Sequence, residues 1–245
     1  MHGWPQHHYE WRGVIPLLTA AGRRVIAPDL RGFGWTGAPP GPVSAEVFAA
    51  DLAALLDALE LDRVDVVGHD WGGFSSFLLA LDHPTRVRRL LALSTPHPFA
   101  SMSLQLALES WRAWYTLPMA AGLARVRPET LGWLLRREGV AKADAEIFVA
   151  PMREAARASV TQRLYRSYLR TVVETARGAN RPPRLTVPTR LLVGDRDVAI
   201  PRSGLGGFQA HADAMELEMI PGRGHFIVDV DPELVAARAL AHFAA

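Results

Sequence analysis

Six residues, Gly68-His69-Asp70-Trp71-Gly72-Gly73, put a carboxylate where a side chain could do covalent chemistry. They follow a short apolar run, Val64-Asp65-Val66-Val67, and precede Phe74, Phe77, Leu78 and Leu81 at helical spacing. This spells strand, sharp turn, helix, with Asp70 at the apex. Small residues at 68 and 72 fit such a turn. Side chains there would collide across it, and the apex residue is held in a strained backbone conformation. A carboxylate displayed in this way can displace a leaving group from an sp³ carbon and become an alkyl ester. Water must then attack the ester carbonyl, which requires a base for the water and N–H donors for the oxyanion. The plainer reading of Asp70 is a strand-end residue that caps the next helix.

The elements around this turn read as alternating strands and helices. Residues 2–5 suggest a loop, 14–21 a helix, and 24–27 a short buried strand ended by Pro28. Ser44 suits an N-cap, with Glu46 in the first turn, for a helix carrying Leu52, Leu55, Leu56 and Leu59 on one face. Strands are predicted at 63–67 and 87–93, and again at 189–193 and 217–220, with a final helix opened by Asp231 and Pro232. Between Pro98 and Pro183 strand alternation vanishes, and helical segments rich in Ala, Leu, Arg and Trp take over. The domain division is therefore 1–97 with 184–245 as an α/β core, and 98–183 as a helical insertion. Alternating strands and helices imply a parallel sheet covered on both faces.

Composition narrows the function. The formal net charge is only +2, and the basic residues are scattered, so neither a nucleic-acid patch nor a membrane patch is read. The absence of cysteine excludes disulfides, thiolate metal sites and a cysteine nucleophile. No charged-then-apolar leader and no long apolar run appear, which leads us to expect a soluble, cytoplasmic protein. Oligomeric state is not legible.

Five motifs occur in one order: HGWP at 2–5, PDLRGFG at 28–34, GHDWGG at 68–73, GDRD at 194–197 and GRGHF at 222–226. Together they resemble the epoxide hydrolase and haloalkane dehalogenase branch of the α/β-hydrolase superfamily. The resemblance covers nearly the whole chain outside the insertion, which would be the family's helical cap. It implies Asp70 as nucleophile and His225 as base. Asp195 and Asp197 both follow the strand ending at Val193, and the family's Gly-x-x-Asp spacing selects Asp197 as the acid that orients the histidine, leaving Asp195 a turn residue. The chain order nucleophile, acid, base is the one expected. The oxyanion donors would be the backbone N–H groups of Trp71 and Trp4. No cofactor and no metal are implied; the partners are a small-molecule substrate and water.

The leaving group separates the readings. An epoxide oxygen leaves as an alkoxide and needs an acid donor from the cap, usually a tyrosine in this family. Tyr165-Arg166 resembles the family's late-cap pair, and Tyr168 shares its helix face at i+3. In the early cap Trp111 stands where a tyrosine is expected, so that either Tyr115 substitutes or one donor serves alone. A halide needs only N–H donors, which Trp71 with Trp4 or Trp111 could supply, so a haloalkane or haloacid dehalogenase is the second reading. A third is a catalytically silent scaffold that binds ligand. Family members also carry roughly three strands before the HGxP loop, whereas only Met1 precedes His2 here. The expectation is an N-terminally truncated version of a longer protein; were the sequence whole, its stability would be impaired or its oxyanion loop poorly held.

Overall fold

A computed structural model describes residues 1–100, 116–121, 127–177 and 182–244. Its sheet has four strands, β1 (Val64–His69), β2 (Val87–Leu93), β3 (Thr189–Gly194) and β4 (Met215–Ile220), in the order β1-β2-β3-β4 and all parallel. Val67 pairs with Leu91 across β1 and β2, and Ala92 with Leu191 across β2 and β3. The residues of β2 from Leu90 to Leu93 are completely buried, as a continuous apolar strand covered on both faces must be.

Strand alternation divides the core in two. Leu91, Leu93 and Leu192 face one side, against α1 (Val14–Ala20) and the C-terminal helix α9 (Pro232–Ala244) through Val14, Leu18, Val235 and Ala239. Leu90, Ala92, Leu191 and Val193 face the other, against α2 (Ala45–Ala58) and α3 (Asp70–Asp82) through Phe48, Leu52, Phe77 and Leu81. The N-caps are those read from sequence. Ser44 Oγ accepts from Val47 N at 3.3 Å, and Asp231 Oδ1 accepts from Leu234 N at 3.2 Å. On α2, Leu52 and Leu56 are buried, but Leu59 follows the last turn and is exposed.

Between β2 and β3 the described elements are all helical: α4 (Thr116–Ala121), α5 (Pro128–Arg137), α6 (Lys142–Val149) and α7 (Ala155–Ala176). Helix α4 lies along α7, where Arg166 Nε donates to Ala120 O at 2.7 Å. Helix α6 is tied to the 3₁₀ turn His8–Arg12: Tyr9 Oη donates to Asp144 Oδ1 at 3.1 Å, and Arg12 bridges Asp144 and the buried Asp229. Asp229 sits on the short helix α8 (Ile227–Val230).

One expectation fails. Residues 24–27 do not form a strand. An apolar run becomes a strand only when a neighbour completes its ladder. Here a cavity of about 360 Å³ separates these residues from β1; it is lined by Val14, Leu18, Val25, Ala27, Leu52 and Val66, among others. At one end of the cavity Met1 meets β1. Its ammonium donates to Val67 O at 2.7 Å, and its carbonyl accepts from His69 N at 2.9 Å, the pattern of a parallel bridge. Burial pushes the ammonium pKa down to about 6, against the pull of Glu10. The loop after Met1 is held at several points: His2 Nε2 accepts from Leu30 N at 2.8 Å, Gly3 N donates to Glu10 Oε2 at 3.3 Å, and Gln6 N donates to Gly3 O at 3.0 Å.

Candidate active site

Asp70 is the first residue of α3, directly after β1, with φ +47°, a left-handed conformation that an aspartate adopts at a cost. The turn is possible because its flanks lack side chains. A Cβ on Gly68 would lie 2.6 Å from Gly72 O, and one on Gly72 would lie 2.4 Å from His2 O. The tightness of the turn drives the carboxylate into a cavity of about 230 Å³. Trp71, Phe74, Thr95, Tyr165, Tyr168 and Ile200 are among the side chains around it.

Two groups converge on the carboxylate. Trp4 N donates to Asp70 Oδ2 at 2.9 Å. His225 Nε2 stands 3.9 Å from Oδ1. Trp71 lies in the first turn of α3, where backbone N–H groups lack intrahelical acceptors. The imidazole of His225 is fixed from behind, its Nδ1 lying 3.2 and 3.1 Å from the two oxygens of Asp197. Asp197 is fixed in turn, as Oδ1 accepts from Ala199 N at 2.8 Å and Ile200 N at 3.2 Å. Asp195 points elsewhere; its Oδ1 accepts from Gly222 N at 2.7 Å and stitches the turn after β3 to the turn after β4.

The electrostatics follow from this packing. Burial disfavours the His225 imidazolium, but the Asp197 and Asp70 carboxylates outweigh it and raise the pKa to about 9. Burial likewise opposes ionisation of Asp197, and the facing His225 and the Ala199 N–H win, holding its pKa below the usual carboxylate range. Tyr168 is pushed above the ordinary phenol value by burial and then by the Asp70 charge.

Helix α7 delivers both tyrosines. The ring of Tyr165 meets Trp4 and Trp71 edge-on, with centroids 5.4 and 5.9 Å away, and Tyr168 meets Trp71 at 5.9 Å. Trp4 is anchored to the same helix, since its indole Nε1 donates to Thr161 Oγ1 at 3.1 Å. The structure thus brings Asp70, Asp197, His225, Tyr165, Tyr168, Trp4 and Trp71 together. Trp111 and Tyr115 lie outside the described residues.

Sequence reading passed over Glu10 and His69, both buried directly beneath this site. Glu10 Oε2 stands 3.3 Å from His69 Nδ1, and His69 Nε2 stands 3.0 Å from His225 O. Neither residue falls in an apolar period, so hydrophobic patterning carries no signal for their burial; His69 was visible only as a neighbour of Asp70.

Among the described residues, one cluster has metal-ligand character, His7, His8 and Asp29, with donor atoms within 4.8 Å of one another. The Asp29 oxygens are already taken by His8 N, Trp35 N and His8 Nδ1 at 2.7–3.0 Å, which fits a loop-shaping carboxylate. None of the three lines the cavity at Asp70.

A family model described as the alpha/beta hydrolase fold matches residues 1–232. The chain belongs to that family. A solved structure titled as the epoxide hydrolase CorEH without ligand is 28% identical, with a TM-score of 0.78, over 99% of this chain and 89% of that one. Epoxide hydrolase 2 of Siraitia grosvenorii is 48% identical over 96 residues, 38% of this chain and 30% of the relative. A 2-hydroxy-6-oxo-2,4-heptadienoate hydrolase of Pseudomonas putida is 52% identical over 84 residues, 34% and 30% of the two chains. The matched stretch therefore spans under a third of these curated relatives, and it is shared by proteins named for different substrates. Among the described residues no helix is long and apolar enough to cross a membrane.

Proposed function

We propose that the protein is an epoxide hydrolase working through an alkyl ester on Asp70. The observation that carries this reading is the placement of the Asp70 carboxylate, with an amide donor on one oxygen, an oriented histidine near the other, and two cap tyrosines lining the same cavity. In this reading residues 98–183 are the cap, and 1–97 with 184–245 the catalytic core.

Oδ2 is bound to the Trp4 amide, so Oδ1 is the attacking atom. It forms a bond to an epoxide carbon as the carbon–oxygen bond opposite breaks, and Tyr165 gives its proton to the departing alkoxide. Esterification removes the Asp70 charge, one of the influences holding the proton on His225. The imidazolium then passes its proton through solvent to the Tyr165 phenolate, and the neutral ring can act as a base. Water adds to Cγ as His225 takes one of its protons, and negative charge collects on Oδ2 between the Trp4 and Trp71 amides. Collapse breaks the Cγ–Oδ1 bond, the departing alkoxide taking the remaining proton of the added water and leaving as the diol. His225 is left as the imidazolium it began as and Asp70 is again a carboxylate, so the sum is epoxide plus water to vicinal diol. Asp197 keeps the Nδ1–H tautomer throughout. A halide cradle built on Trp71 and Trp4 is disfavoured, because the Trp4 indole N–H is already spent on Thr161.

The test incubates the protein with styrene oxide and with a bromoalkane, measuring diol and bromide separately. Diol without bromide is the expected result; bromide alone would replace this reading with the dehalogenase, and neither product with the ligand-binding scaffold. His225→Gln should accumulate the ester, seen as a substrate-sized mass increase on Asp70. No adduct in that variant, with a substrate the parent turns over, would reject covalent catalysis.

A further inference from the structure

Below the nucleophile lies a second acid–histidine pair to which the proposed reaction assigns nothing. Glu10 and His69 are each completely buried. A single oxygen, Glu10 Oε2, meets both Gly3 N and His69 Nδ1 at 3.3 Å, while Oε1 has no hydrogen-bond partner among the described residues. The other ring nitrogen, Nε2, faces the carbonyl oxygen of His225 at 3.0 Å. Glu10 therefore touches the residue before the Trp4 donor, and His69, the residue before the nucleophile, touches the backbone of the base.

The chemistry of the contacts fixes the protons. A carbonyl oxygen only accepts, so His69 Nε2 must carry a hydrogen in every state. Nδ1 then shares one proton with Glu10, as an imidazolium–carboxylate pair or as two neutral partners, and either arrangement is neutral overall. Burial raises the Glu10 pKa, and the carboxylate raises that of His69 against burial, both in the direction of retaining this shared proton.

Resting on the nucleophile reading above, we propose that Glu10 and His69 are positioning residues for the ester-hydrolysis step, holding the His225 backbone so that its ring reaches the water attacking Asp70. Alkylation needs only the carboxylate and the ring-opening donor. Hydrolysis needs the base in place, and a displacement of about 1 Å can cost on the order of 100-fold.

Glu10→Gln is the sharp perturbation because shape is conserved. The amide oxygen must occupy the Oε2 position to accept from Gly3 N, and from there it requires hydrogen on His69 Nδ1. A neutral ring with Nδ1–H turns a lone pair toward the His225 carbonyl and loses that bond. Single-turnover kinetics with an epoxide that the parent converts would resolve ester formation from ester hydrolysis. Hydrolysis should slow on the order of 10–100-fold and ester accumulate, with alkylation within about 3-fold of the parent. The paired variant Glu10→Met with His69→Leu removes both polar partners at once, avoiding an unpaired buried charge that could unfold the chain. It should show the same selective loss. An equal fall in both steps, or no change in either, overturns the proposal. Failure of the parent itself to form an ester on Asp70 would instead strike the nucleophile reading, and is seen before any variant is made.

Discussion

Gly3→Ala tests the oxyanion loop through a single methyl group. A Cβ at residue 3 would sit 2.6 Å from Asp70 Cβ, 3.0 Å from Asp70 Oδ2 and 3.1 Å from His69 Nδ1. Carbon atoms rest at about 3.5–4.0 Å, so the loop must retreat by about 1 Å. The Trp4 N to Oδ2 bond starts at 2.9 Å. After that retreat it exceeds about 3.5 Å and ceases to be a hydrogen bond. Removing one oxyanion donor typically costs about 10²–10³ in turnover, roughly 3–4 kcal/mol of barrier. Overpacking should also cost about 1–3 kcal/mol of stability. Rapid-quench assays, at a temperature well below the variant's melting point, would measure ester formation and breakdown separately. Breakdown should carry most of the loss, because charge on Oδ2 grows only in that step. A variant that breaks the ester down within about threefold of the parent rate would refute the assignment of Trp4 N as a donor.

Asp197→Asn should reduce turnover by about 10³–10⁴, since the amide no longer fixes the imidazole tautomer or supports its charge. It should also reshape stability against pH. The raised His225 pKa stabilises the fold below the ordinary histidine range and fades as pH climbs through about 9. The depressed Asp197 pKa contributes above the usual carboxylate range and is lost as pH falls beneath it. Thermal melts spanning roughly pH 2 to 10 should show both limbs flattened in the variant. Tyr165→Phe should slow epoxide opening by about 10²–10⁴, read as the rate of ester formation, with no matching loss on ester breakdown. Arg12→Met should destabilise the chain by about 3 kcal/mol, measured by urea unfolding, because it removes the cation from the buried Asp229 carboxylate and leaves it the Gln6 amide as donor.

Much of the site was legible because its chemistry is local in sequence. The Gly-flanked aspartate, the strand before it and the helix after it are short-range signals, and the turn geometry at Gly68 and Gly72 accounts for them. The choice of Asp197 over Asp195 came from a resemblance, not from physics; both follow the same strand, and only the fold shows which one faces His225. The misread strand at 24–27 has the opposite origin. Its apolar content is real, yet pairing is a property of neighbours, and the space beside β1 holds a cavity. Glu10 was invisible for a related reason, as burial of a carboxylate depends on partners far away in the chain. His69 is 59 positions distant.

The bond from the Trp4 indole to Thr161 spans the two halves of the molecule. The residue whose amide would receive the oxyanion is leashed to the helix that forms the cavity roof. A bulky substrate that lifts α7 must drag Trp4 with it, lengthening a contact to Asp70 that the reaction needs later. Substrate size would then act as a brake on product formation as well as a filter on entry. Oversized epoxides should load the enzyme and stall on it as slowly cleared esters, behaving as inhibitors rather than as substrates that fail to bind.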